Sequence, residues 1–172
     1  VYILKHNISS VPPSKKSSEA FIACATQQGY KIRVSTSKEK EEDIDYVLWD
    51  PDNKAGAFAV SIKNTLVKKS KKRKHLWGWV ELRNRRGEEG WLKTKCTFIA
   101  YERKSDFVLL YKNDLRKWIQ SENVGRWDLP FVTSGWKAAY RLYRRVNTKE
   151  AIFHLKISDA LKRCKHHSWP KA

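Results

Sequence analysis

Between Ser17 and Gly29 the apolar residues Phe21, Ile22 and Ala25 recur at helical spacing among polar ones, and this pattern predicts the first helix of the chain. Ser17 and Ser18 can cap it, Glu19 suits its first turn, and Gly29 ends it. Upstream, residues 1–6 read as a short strand or arm and Val11-Pro12-Pro13-Ser14 as a break. Downstream the period drops to two. Tyr30-Lys31-Ile32-Arg33-Val34 alternates, residues 38–42 form a charged turn, and Ile44-Asp45-Tyr46-Val47-Leu48-Trp49 reads as a second strand. Asp50-Pro51-Asp52-Asn53 with Gly56 is dense turn chemistry, so the run at 58–63 is expected to return antiparallel to that strand.

Residues 68–75 are a basic run with no apolar period and read as a mobile loop. Strand-like pieces at 76–82 and 90–92 flank a polar turn at 84–89, and short apolar runs at 96–101 and 107–111 are of strand type. A helix capped by Asn113 or Asp114 covers 113–119, residues 136–143 read as helical, 151–155 as a strand and 158–164 as a closing helix. Strands interleave with helices and no repeat or linker divides them. The expectation is a single α/β domain over residues 1–172, with a central mixed sheet flanked by helices.

Composition narrows the function. At 172 residues with 41% apolar and 12% aromatic side chains, the chain can bury a core without disulfide or metal staples. Lys plus Arg number 36 against 18 acids, giving a formal charge of +18 and a pI near 9.9, and nucleic acid is the natural partner for such a polycation. No stretch approaches the roughly 20 apolar residues of a membrane span, and no signal-peptide pattern opens the chain. Cys24, Cys96 and Cys164 are odd in number and far apart, which fits packing thiols in a reducing compartment, cytoplasmic or nuclear. The chain has no methionine and opens on Val1.

The candidate chemistry lies at the second and third strands. In Ala59-Val60-Ser61-Ile62-Lys63, alternation sends Ser61 and Lys63 to one face and Val60 and Ile62 to the other. An antiparallel hairpin would bring Asp45 to the same place. Acid oxygens beside an amine are what metal-dependent phosphodiester cleavage requires: hard ligands for a cation, and a positive group to orient water and steady pentavalent charge. An early helical acid at Glu19, a strand opening on Ile44-Asp45-Tyr46, a turn, and a strand ending in Ser61-Ile62-Lys63 together resemble the PD-(D/E)XK nuclease superfamily, over roughly residues 17–64. The resemblance implies a restriction-endonuclease-like core and a magnesium-dependent endonuclease acting on DNA, with manganese as the alternative metal. By it, Asp45 holds the metal, Lys63 positions water and Glu19 supports the site. Ser61 stands where that family usually has a second metal-binding carboxylate. Glu81, with Asp50 and Asp52 behind it, is the candidate replacement.

Phosphate contacts are expected from Lys68, Lys69, Lys71, Lys72, Arg73 and Lys74, and from Arg141, Arg144 and Arg145, whose segment also carries Trp136 and Tyr140. A homodimer would supply two sites for cutting a duplex. Among the eight tryptophans, Trp49, Trp118 and Trp136 read as core, while Trp77, Trp79 and Trp91 are open to base stacking. Cys164-Lys165-His166-His167 lacks a second pair to close a zinc tetrahedron. No P-loop or nucleophile elbow is present, which sets aside acyl-hydrolase chemistry. The rival reading is a non-catalytic module for single-stranded DNA or RNA, or a basic subunit of a nucleoprotein assembly, and Ser61 is its best argument.

Overall fold

The computed structural model describes residues 13–69, 74–83, 86, 88, 90, 95–122, 141–144 and 151–172. The expected arm at 1–6, Lys71, Lys72, Arg73, Trp91, Trp136, Tyr140 and Arg145 lie outside these residues. Helix α1 spans Lys15–Gln27 and is capped by Ser14, whose side chain accepts from the Ser17 backbone N–H at 3.1 Å. The helix thus starts earlier than its apolar pattern predicts. Ser17 is not a cap but a buried residue of the first turn, and its hydroxyl donates to Glu102. That turn contains no acid, and Glu19 is exposed further along the helix. Gly29, at φ 88°, ends the element in a conformation that costs a Cβ-bearing residue about 1–2 kcal/mol.

A six-stranded mixed sheet runs in the order β1 (Lys31–Val34), β2 (Tyr46–Asp50), β3 (Asn53–Lys63), β6 (Phe98–Glu102), β7 (Asp106–Tyr111), β10 (His166–Pro170). Its neighbours are antiparallel except β3 and β6, which run parallel with Lys63 opposite Tyr101. The β2–β3 register pairs Tyr46 with Val60, the return that turn chemistry at 50–53 called for. Alternation gives the sheet two apolar faces. On one, Val60, Ile62, Phe107 and Leu109 pack with Phe21, Cys24 and Ala25 of α1. On the other, Ile99, Tyr101, Val108 and Leu110 pack with α3 (Lys112–Glu122), α4 (Ile157–Arg163) and a second sheet. Each fully buried Leu, Ile or Phe contributes about 1.5–3 kcal/mol against the chain's conformational entropy.

The second sheet has the order β4 (Thr65–Lys69), β5 (Lys74–Arg83), β9 (Ala151–Lys156), β8 (Arg141–Arg144). Three expectations change here. Lys68, Lys69, Lys74 and His75 of the basic run lie on paired strands rather than in a loop, with Lys68 paired to His75 and Lys69 to Lys74. The run's first two lysines fall on β4, an edge strand, where lysine is tolerated. Residues 141–144 form a strand, not a helix, so Arg141 and Arg144 stand on the opposite edge of the same sheet. The charged turn at 38–42 contains a short helix, α2 (Ser37–Glu41), closed by a capping box between Thr36 and Glu39. Trp77, open to stacking by its sequence setting, is buried, as is Trp118. All three cysteines are buried and free, and burial pushes the Cys164 thiol up to about 12. No described helix is long and apolar enough to cross a membrane.

Candidate active site

The site is built by the way α2 stops. Arg33 on β1 grips Glu39 through two hydrogen bonds of 2.7 and 3.1 Å, and with the Thr36 backbone it holds that carboxyl down at about 2. Thus fixed, α2 ends with Asp43 N–H donating to the Lys40 carbonyl and Ile44 N–H to the Glu39 carbonyl. This is a Schellman termination, and Asp43 occupies its left-handed position at φ 58°. Glycine is the usual residue there. Ile44 buries in the core immediately after and locks the turn.

Two side chains converge on the carboxylate so placed. Lys63 Nζ donates to Asp43 Oδ2 at 2.7 Å and Oδ1 at 2.9 Å, and the Ser61 hydroxyl donates to Oδ2 at 3.2 Å. Ser61 is fully buried, while the Lys63 and Asp43 side chains keep 11% and 29% exposure, so the pair opens to solvent on the aspartate side. Asp45 completes the group. Its backbone continues the β2 ladder, donating to the Val60 carbonyl at 3.0 Å, and its Oδ2 accepts from the Ile62 N–H at 2.7 Å. The carboxylate therefore takes an amide that a strand carbonyl would otherwise satisfy, where β2 and β3 part. Burial holds its carboxyl above the usual range, and the Asp43 charge adds to that push; the Ile62 amide, Lys63 and the Ser61 hydroxyl oppose it. Tyr101, opposite Lys63 on β6 and fully buried, has its phenol pushed far above the ordinary value by burial, so it stays neutral.

Ser61 and Lys63 thus share the face that strand alternation assigned them, both donating to Asp43, and Asp45 lies close enough to feel both. Glu19 is exposed on the helix that packs against Val60 and Ile62, the opposite face. Glu81 lies on β5, where period two turns it away from Val80 and Leu82, the residues packed in the core on the Lys63 side. Asp50 and Asp52 stand at the far end of the hairpin: β3 is 11 residues long, and at about 3.3 Å per residue they are roughly 33 Å from Lys63. The acid that does sit beside Lys63 is Asp43, which the sequence reading placed in no role. Its signal was the Thr36-x-x-Glu39 capping box, which announces a short helix whose end must fall just before Asp45.

Asp43 and Asp45 offer hard carboxylate oxygens with the Ser61 hydroxyl between them. Among the described residues no group of three His, Cys, Asp or Glu side chains could hold a metal ion. Magnesium asks for less, since one or two carboxylates commonly bind it together with waters and substrate phosphate. Lys63 brings one positive charge to two acids and is paired with Asp43, and the Ser61 hydroxyl is neutral, so the oxygens of the pair could still take a cation. Beyond Lys63 the chain passes through Asn64 straight into β4, and Lys68 and Lys69 follow on that edge strand. The chain matches no protein-family model, no curated protein and no solved structure.

Proposed function

We propose that this chain hydrolyses phosphodiester bonds in nucleic acid, DNA foremost, with magnesium, as its resemblance to PD-(D/E)XK nucleases suggests. The observation that carries the reading is the meeting of two aspartates, Asp43 and Asp45, with Lys63 where β2 and β3 part. A bound divalent cation would polarise the scissile phosphate and lower the pKa of an attacking water. Asp45, oriented by the Ile62 amide, and Asp43 would hold it. Lys63 would leave Asp43 for the water or for the negative charge growing on phosphorus. The basic strand that follows would draw in the phosphate backbone, with affinity falling as salt rises.

Cleavage of plasmid and oligonucleotide substrates, with magnesium and with chelator, tests the reading. Asp45→Ala and Lys63→Ala should each lose cutting by about 100-fold or more, the scale of one electrostatic stabiliser. Cutting at the parent rate would remove these residues from the chemistry. One observation favours a second reading, a binding module without catalysis: Lys63 is already engaged by Asp43, and Ser61 holds the place of a carboxylate. Binding that persists in chelator, with no cutting under magnesium or manganese, would select it.

A further inference from the structure

On the α1 face of the main sheet, beyond the end of that helix, a cleft of about 370 Å³ opens at the end remote from Lys63. Tyr30, Phe58, Phe98, Tyr111, His167 and Trp169 line it. Their rings contact one another in a continuous chain: Trp169 stacks on Tyr30 at 5.4 Å, Tyr30 meets Phe58 edge-on at 5.3 Å, Phe58 meets Phe98 at 5.3 Å, and Phe98 lies 4.4 Å from Tyr111. His167 closes the far side, 5.8 Å from the Tyr111 ring and 3.4 Å from its hydroxyl. Asp50, Asn53 and Thr97, all exposed, supply the polar rim.

What the cleft lacks is informative in a chain with 36 Lys and Arg residues: none of the described residues lining it is either. A phosphate would meet the Asp50 carboxylate with no lysine or arginine among the described lining residues to offset it. A flat neutral ring would stack on the aromatic wall instead, with its N–H groups directed at acceptors on the rim. Asp52 N–H takes one acceptor position on Asp50, at 2.9 Å; a carboxylate has about four.

We propose that this cleft binds one unpaired nucleobase carrying an exocyclic amino group, held by stacking and by hydrogen bonds to Asp50 and Asn53. The proposal rests on nucleic acid being the partner but not on cleavage. In a bound strand, the phosphates would stay outside the cleft while one base enters it. The site reads bases without regard to the Asp43, Asp45 and Lys63 group, which lies at the other end of β3.

Guanosine, which carries no phosphate, is the first probe, titrated into the isotope-labelled chain and followed by amide and side-chain resonances. Shifts should concentrate at Asn53, Gly56 and His167, and inorganic phosphate should not reproduce them. The second arm measures binding of a single-stranded oligonucleotide against the same backbone made abasic, for the parent, Asn53→Ala and His167→Ala, both surface changes. The parent should prefer the strand with bases by about tenfold, within the range of one stacked base, and the variants should narrow that preference. Equal affinity for the two strands, or guanosine shifts elsewhere, would overturn the cleft. Failure of plasmid cleavage alone would overturn only the nuclease.

Discussion

Lys63 Nζ lies 2.7 Å from Asp43 Oδ2, and the aspartate that reaches it does so from a left-handed backbone conformation. A residue with a Cβ costs about 1–2 kcal/mol there relative to glycine, although Asp and Asn tolerate it better than most. Helix termination alone favours glycine, so the carboxylate stands here against a backbone preference. Asp43→Gly and Asp43→Ala should therefore separate stability from activity. Both remove the partner of Lys63, and cleavage should fall about 100-fold in each. Urea unfolding should find the glycine variant about 1 kcal/mol more stable than the alanine variant. Equal stabilities would contradict the Schellman geometry, and parent-rate cleavage by either would take Asp43 out of the site.

Asp45 makes a prediction about pH. Burial holds its folded-state carboxyl above the ordinary 3.8, so the native state binds this proton more tightly than the unfolded chain does. The stability this group adds is fully present below pH 3.8 and is lost as pH rises through the raised folded value. Asp45→Asn removes the titration while keeping an oxygen for the Ile62 amide. Relative to the parent, the variant should be least favourable in acid and gain through the window from 3.8 to the folded value, with no further change above it. Urea midpoints of both proteins across that window measure the difference. Parallel curves would mean that the carboxylate is not desolvated.

The face shared by Ser61 and Lys63 was legible because strand period is a local property: once residues 58–63 were read as a strand, alternation fixed which side chains pointed together. Asp43 was not, because it belongs to no periodic element. Its position follows from a five-residue helix whose evidence is a cap rather than an apolar stripe. The hairpin of β4 and β5 was hidden for a related reason, since lysines are tolerated on an edge strand and a run of them in sequence resembles a solvated loop. Glu19 and Glu81 were placed by residue type and rough order, and neither order nor type says which side of a helix or strand meets the site.

Gly78 on β5 is predicted to be intolerant of any side chain. A Cβ there would lie 2.7 Å from Tyr101 Cε1 and 3.0 Å from Ile157 Cδ1, both in buried side chains. Gly78→Ala should cost about 1–3 kcal/mol by overpacking. Pairing it with Tyr101→Leu should recover part of that loss, so the double variant should be more stable than the sum of the singles allows. Strict additivity in thermal or urea unfolding would show that the second sheet does not press on the main one at this point.

The basic hairpin is predicted to act through phosphates alone. Lys68 and Lys69 follow Lys63 on β4, the strand that leaves the site, and Lys74 on β5 pairs with Lys69. If these ammonium groups neutralise backbone phosphates, each releases condensed counterions. The slope of log affinity against log salt should then flatten by about 0.9 per lysine on duplex DNA, or about 0.7 on single strands. Replacing all three with glutamine should remove about 2–3 from the slope, by the same arithmetic, without changing which sequences are preferred. Fluorescence anisotropy of a labelled duplex at several salt concentrations reads this directly. An unchanged slope would leave the hairpin as a solvated edge, and Arg141 and Arg144 on the opposite edge of the same sheet would be the next residues to test.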